Sequence, residues 1–208
     1  GLLRRWSRDL ADTVELNASQ EIYDRATAAT TEFSAYLRDL ARERRRQPRQ
    51  DLMTALVHAE AQGDQLTEQE LISTCILLLV AGHETSTNFI GNGVLALLRH
   101  PEQVESLKAR PELGRSAIEE LLRYDSPVQA TFRTVLHELE FDGRRLPAGA
   151  SVAFMLGSAN RDPAVFDDPQ RLDISRDPNP HLSFSYGIHY CLGAPLARLE
   201  GQIAIQTL

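Results

Sequence analysis

At 208 residues, 42% of them hydrophobic and 25% charged, the chain is long and apolar enough to bury a substantial core, which argues against a disordered segment. Its 22 basic and 29 acidic residues leave a net charge of -7, which disfavours attraction to nucleic acid or an anionic membrane and leaves small molecules and protein partners as ligands. The most apolar run, Ile76 to Gly82, is far shorter than the ~20 residues of a membrane-spanning helix, and no charged-then-apolar leader is present.

The two cysteines, Cys75 and Cys191, lie in unlike settings, one in an apolar helical run and one in a glycine-rich stretch, so no structural disulfide is expected and the cytoplasm is the expected compartment. The chain opens at Gly1 without a methionine and stops at Leu208 inside an amphipathic pattern, which predicts a fragment.

Helical spacing of alanine, leucine, arginine and glutamate runs from Leu10 to about Arg46, and the cluster Arg42, Arg44, Arg45 and Arg46 before Pro48 reads as a solvated helix end suited to the helix dipole. Asp51 to Glu60 reads as a short helix ending near Gly63. Thr67-Glu68-Gln69-Glu70 is a capping box opening a helix that runs to Arg99, where Pro101 stops it. At ~1.5 Å per residue it is on the order of 48 Å long, and its middle, apolar on nearly all sides, predicts a central buried helix.

Shorter helices are expected near Glu102 to Lys108 and Pro111 to Tyr124. Thr131 to Leu139, the Asp142-Gly143 hairpin signal and Ser151 to Phe154 predict a small, mostly antiparallel sheet. From Asn160 to Pro180, prolines and aspartates predict an irregular but ordered meander that buries Phe166, Leu172 and Ile174. A last helix should begin just after Cys191.

Cys191 sits in Phe184-Ser185-Tyr186-Gly187-Ile188-His189-Tyr190-Cys191-Leu192-Gly193. Glycines on both sides allow a tight loop and close approach to a flat ligand, and Pro195 is tolerated in the first turn of the helix that follows. A sulfur at a helix N-terminus faces free N–H groups and the positive dipole end, which favour thiolate. A single cysteine is, on its own, more often inert and buried. In the long helix, Leu78, Gly82, Thr85 and Phe89 share one face, and Gly82 leaves a notch beside the Thr85 hydroxyl that would admit a diatomic ligand. Close packing against a neighbouring helix explains the glycine equally well.

His83-Glu84 begins like H-E-x-x-H, but position 87 is Thr87, so a zinc protease is rejected. A cysteine hydrolase using Cys191 and His189 lacks an evident oxyanion site or orienting acid. Glu120 and Arg123 are i,i+3 neighbours, ordinarily a surface pair worth less than ~1 kcal/mol. His58, His100, His137 and His181 read as ordinary surface or loop residues.

The spacing of Phe184, Gly187, His189, Cys191 and Gly193 resembles the heme-ligand motif of the cytochrome P450 family, and Ala81-Gly82-His83-Glu84-Thr85-Ser86 resembles its oxygen-activation motif. Ser185 stands where that family commonly has glycine. The resemblance covers nearly the whole chain. It implies a mainly α fold with a small antiparallel β portion, with residues 1–208 as the C-terminal, heme-binding part of a single domain of the bacterial type. It further implies a heme-thiolate monooxygenase that inserts one atom of dioxygen into an organic substrate.

By that resemblance Cys191 ligates the iron of heme b (iron protoporphyrin IX), and Glu84 and Thr85 deliver protons. Gly82, Phe184, Gly187 and Gly193 shape the cofactor site, while His189 and Arg133 meet heme propionates, a pairing that arginine's planar fork suits. Glu120, Arg123 and Arg171 form a structural triad, with Leu172 in place of the family's usual aromatic. Electrons come from a ferredoxin- or flavodoxin-type partner, since no flavin or nicotinamide fingerprint is present. A noncatalytic heme-binding module or inactive remnant is the alternative.

Overall fold

In the computed structural model, residues 1–14, 18–61 and 64–207 are described, without the side chains of residues 60, 61, 64 and 65. Expectations that fall on 15–17, 62–63 and 208, such as a helix end near Gly63, lie outside them. The described chain is mainly helical with short antiparallel strand pairs. It divides into two compact units, residues 1–84 and 85–208.

The first unit contains α1 (Leu2–Ala11), α2 (Gln20–Arg46) and α3 (Leu52–Val57). The helical pattern expected to run unbroken from Leu10 is interrupted. A 3-10 turn follows α1, where the Thr13 hydroxyl donates to the Leu10 carbonyl at 2.7 Å and competes with the backbone for it. Ser19 then caps α2 by accepting the Ile22 N–H. Ala26, Ala29, Phe33, Leu37 and Ala41 form the buried stripe of α2. Trp6 of α1 stacks on Phe33 with ring centroids 5.0 Å apart and donates its indole N–H to Glu32 at 2.8 Å.

The basic end of α2 is not wholly solvated, because Arg44 is buried and its Nε donates to Asp51 Oδ2 at 2.5 Å. The other oxygen of Asp51 caps α3 through the Thr54 N–H at 2.8 Å. Glu60–Ala61 (β1) and Asp64–Gln65 (β2) pair antiparallel.

Helix α4 (Glu68–Arg99) opens on the expected capping box. Glu70 Oε2 accepts the Thr67 N–H at 2.8 Å while Thr67 Oγ1 accepts the Glu70 N–H at 3.2 Å. Its middle is not the buried rod that the apolar run predicts, since Leu77 is 65% and Leu78 39% exposed. The buried residues lie towards its ends, at Leu71, Ile72, Phe89, Ala96 and Leu97. An all-round apolar surface buries only where a partner covers it, and the described residues cover those leucines only in part.

The second unit holds α5 (Pro101–Ala109), α6 (Gly114–Tyr124), α7 (Leu156–Ala159) and α8 (Ala194–Thr207). Pro101 opens α5 at a position where its missing N–H is harmless. Strands β3 (Thr131–Thr134) and β6 (Ser151–Phe154) pair antiparallel with Thr131 opposite Phe154. A separate hairpin pairs β4 (Leu139–Phe141) with β5 (Arg144–Leu146). Asp142 and Gly143, at φ 49° and 69°, make its left-handed two-residue turn.

Phe89, Ile118, Leu121, Leu122, Leu172, Phe184, Ala194 and Ile205 form the core of this unit. Gly201 of α8 lies so close to Phe89 that an added Cβ would come 2.4 Å from its ring, so the crossing of α8 with this stretch of α4 requires glycine. The meander from Asn160 to Pro180 has no regular element, yet Phe166, Leu172 and Ile174 are buried in it as expected.

Candidate functional site

Cys191 lies just before α8 in a loop built by backbone geometry. Ser185 and Gly187 both take left-handed conformations, at φ 62° and 67°. That explains why glycine suits position 185, since a Cβ there costs about 1–2 kcal/mol. Residues 187–189 form a single 3-10 turn, closed by the Tyr190 N–H to the Gly187 carbonyl at 3.0 Å. The chain then returns, so that the Cys191 N–H donates to the Phe184 carbonyl at 2.9 Å and the Cys191 carbonyl accepts the Ala194 N–H at 3.2 Å.

The thiol is free and exposed. Around it Tyr186, Ile188 and Leu192 are 83%, 98% and 88% exposed, which leaves an open apolar rim. A Cβ on Gly193 would meet Cys191 Sγ at 3.9 Å, so glycine keeps that side of the sulfur clear. His189 is exposed within the 3-10 turn.

Arg133 on β3 is half-buried and its Nη1 turns back to the Phe132 carbonyl at 2.7 Å. Gly82, Glu84 and Thr85 follow one another on α4. An added Cβ at Gly82 would meet nothing within 4 Å among the described residues, so the tight-packing explanation for this glycine finds no neighbour. Glu84 and Thr85 are half-buried, and Glu84 Oε1 lies 3.4 Å from His83 Nδ1. One residue on, Ser86 donates to Glu200 of α8 at 2.7 Å.

Glu120 and Arg123 of α6 are fully buried and joined by two hydrogen bonds of 2.8 Å. This is a forked pair inside the protein, not a surface contact. The expectation that Arg171 completes it is corrected. The Arg171 side chain is 63% exposed and its guanidinium lies 3.7 Å from Asp173. Its backbone turns the carbonyl inward to accept from Arg123 Nη2 at 3.1 Å, and the side chain leaves towards solvent.

The third arginine is Arg176, whose Nε lies 3.1 Å from Glu120 Oε2. Glu120 also accepts from Asn179 Nδ2 at 3.1 Å and the Asp173 N–H at 2.9 Å. Buried Asn160 continues the network, accepting from Arg123 through its carbonyl and from the Leu182 N–H through Oδ1, at 2.9 and 2.7 Å. The meander is thereby tied to the segment that leads into the cysteine loop.

A second polar cluster was not legible in the sequence. Glu119 of α6 accepts from Arg198 Nε and Nη2 of α8, at 2.7 and 2.9 Å, and lies 3.0 Å from His181 Nε2. His181, read as an ordinary surface or loop residue, lies in a loop with its side chain almost wholly buried. Burial alone would push the Glu119 carboxyl up, but the hydrogen bonds from His181 and Arg198 outweigh it and hold the carboxyl at about 2. The available signal was helical spacing, which puts Glu119 and Glu120 on different faces of α6.

The donor set at Cys191 fits a heme. One exposed sulfur, presented ahead of a helix and flanked by uncovered apolar side chains, suits a bulky flat macrocycle that would bring the metal and its other donors with it. Among the described residues no group of three His, Cys, Asp or Glu could hold an ion without such a macrocycle.

The Cytochrome P450 family model matches residues 9–112 and 112–208, and the chain belongs to the cytochrome P450 family. It is similar to the biotin biosynthesis cytochrome P450 of Bacillus subtilis, with 45% identity over 206 residues, 99% of this chain and 52% of that protein. It is also similar to the polyketide biosynthesis cytochrome P450 PksS of the same organism, with 46% identity over 98% of this chain and 49% of that protein. Among solved structures, that of P450BioI in complex with hexadec-9Z-enoic acid ligated acyl carrier protein matches with a TM-score of 0.94 and 45% identity, over 99% of this chain and 53% of that one. The chain thus spans about half the length of the curated relatives it matches. Among the described residues no helix is long and apolar enough to cross a membrane.

Proposed function

We propose that the protein to which this chain belongs is a heme-thiolate monooxygenase, with residues 1–208 as the C-terminal, heme-binding part of a single cytochrome P450 domain. The observation that carries this reading is the exposed Cys191 sulfur, held ahead of α8 by a loop with two left-handed residues and an apolar rim. Bound there, heme b would supply reductive activation of dioxygen and transfer of one oxygen atom to a small organic substrate, the other leaving as water.

The chain's own residues have separable tasks. Cys191 would offer its sulfur to the iron, in a loop held by the bond from its N–H to the Phe184 carbonyl and from the Ala194 N–H to its own carbonyl. Gly187 and Gly193 let the loop turn and keep the sulfur accessible. Gly82 leaves open space on α4, where the Glu84 carboxyl and Thr85 hydroxyl hold and pass protons. Arg133 and His189 would hold the propionates, and the Arg133 guanidinium, whose Nη1 donates to the Phe132 carbonyl, carries further donors with which to do so. Electrons come from a ferredoxin- or flavodoxin-type partner, and the compartment is the cytoplasm.

The test is the absorption spectrum of the reduced, carbon-monoxide-bound protein, which separates thiolate from imidazole ligation. We expect a thiolate-type band that Cys191→Ser abolishes, and a band unchanged by that substitution would refute the assignment. A thiolate-type band without turnover on any substrate would favour a noncatalytic heme-binding module.

A further inference from the structure

Arg198 joins three elements around the cysteine loop. Its Nε and Nη2 grip Glu119 of α6, its Nη1 donates to the Tyr190 hydroxyl at 3.0 Å, and its guanidinium carbon lies 4.5 Å from the centre of the Phe184 ring. Phe184 and Tyr190 bracket the loop. The carbonyl of Phe184 accepts the Cys191 N–H, and Tyr190 is the residue before the cysteine. His181, bonded to the same Glu119 carboxylate, has its ring 6.0 Å from that of Phe184. A planar cation can bind a carboxylate through its edge and an aromatic ring through its face at the same time, which a lysine cannot do.

We propose that Arg198 is a positioning residue for Cys191: fixed to α6 through Glu119, it clamps Phe184 and Tyr190 and so sets the direction in which the sulfur is presented. This rests on Cys191 being the heme ligand and names a residue that the cysteine motif itself does not include. The clamp acts on the loop through the Phe184 ring and the Tyr190 hydroxyl, so its loss loosens the segment that carries the sulfur.

The test compares Arg198→Leu, Arg198→Lys and Tyr190→Phe with the parent in the heme-loaded protein, using Phe33→Leu of α2 as a general destabilisation control. The readouts are amide exchange at Cys191, the share of thiolate-type band in the reduced, carbon-monoxide-bound spectrum, and the denaturation midpoint. For Arg198→Leu we expect several-fold faster exchange at Cys191, unchanged exchange inside α6, and a reduced share of thiolate-type band. Arg198→Lys restores part of both, because it keeps the charge but not the fork, and Tyr190→Phe gives the smallest shift.

Phe33→Leu should lower the midpoint and move neither of the other readouts. If Arg198→Leu left exchange and band at parental values, or if Phe33→Leu reproduced its effects, the clamp would be overturned. Should Arg198→Leu fail to load heme, the lysine and phenylalanine variants decide by the same criteria. Persistence of the thiolate-type band in Cys191→Ser would instead overturn the ligand assignment, and the exchange data would still report on whether Arg198 holds the loop.

Discussion

The meander and the cysteine loop are neighbours in sequence and both lack regular structure, yet they are held by different physics. The meander turns inward on a fully buried carboxylate, with Glu120 accepting from Arg123, Arg176, Asn179 and the Asp173 backbone, while Leu172 and Ile174 fill the space around it. The cysteine loop turns outward. Its hydrogen bonds are mostly its own backbone's, and Tyr186, Ile188 and Leu192 project into the open. An irregular segment can therefore be held either by satisfying its polar groups with a buried charge network or by local backbone closure, and here the segment closed mainly by its own backbone is the one whose reactive atom is accessible.

The largest effect should come from breaking the buried side of that contrast. Glu120→Ala strands the Arg123 guanidinium without a counter-charge, and we expect a loss of about 3–5 kcal/mol in urea denaturation. A loss under ~1 kcal/mol would mean that the pair is not buried as described.

Next in size is the comparison of two arginines in the meander. Arg176→Ala removes a charged hydrogen bond to a buried carboxylate and should cost about 1.5–3 kcal/mol. Arg171→Ala should stay within ~0.5 kcal/mol, because its side chain is exposed and its carbonyl survives the substitution. Equal losses would restore Arg171 as the third member of the network.

The cluster beside the loop is open to a pH test. The Glu119 carboxyl is held at about 2, below its unfolded value near 4.5, so its contribution is fully present above the unfolded value and disappears as pH falls towards the folded one. The stability difference between the parent and Glu119→Gln, about 1.5 kcal/mol at neutral pH by analogy with other charged hydrogen bonds, should therefore hold from pH ~7 to ~5 and shrink steadily below ~4.5. A difference that stayed flat into acid would remove Glu119 from the network.

The smallest effect is expected in the outward loop itself. Ser185→Gly relieves a left-handed Cβ and should stabilise by roughly 0.5–1 kcal/mol, net of glycine's greater unfolded freedom, with no change in the heme spectrum. Destabilisation would show that the serine side chain has a role in the loop.

Much of this was legible in the residues. The Thr67 to Glu70 capping box, the Asp142-Gly143 turn, the buried apolar positions of the meander and the helix that follows Cys191 are local patterns, decided within a few residues by sterics and backbone hydrogen bonding. The motifs around Cys191 and Glu84-Thr85 were likewise readable, because their residue types and spacing lie within single segments.

Only tertiary structure chose Arg176 over Arg171, buried His181 against Glu119, and set Arg198 over Phe184. Each depends on which way an irregular backbone turns, and that is decided by distant partners. The open middle of α4 makes the same point in reverse. Its residues are apolar by sequence, but whether an apolar face is buried depends on the surfaces that meet it, which no local pattern specifies.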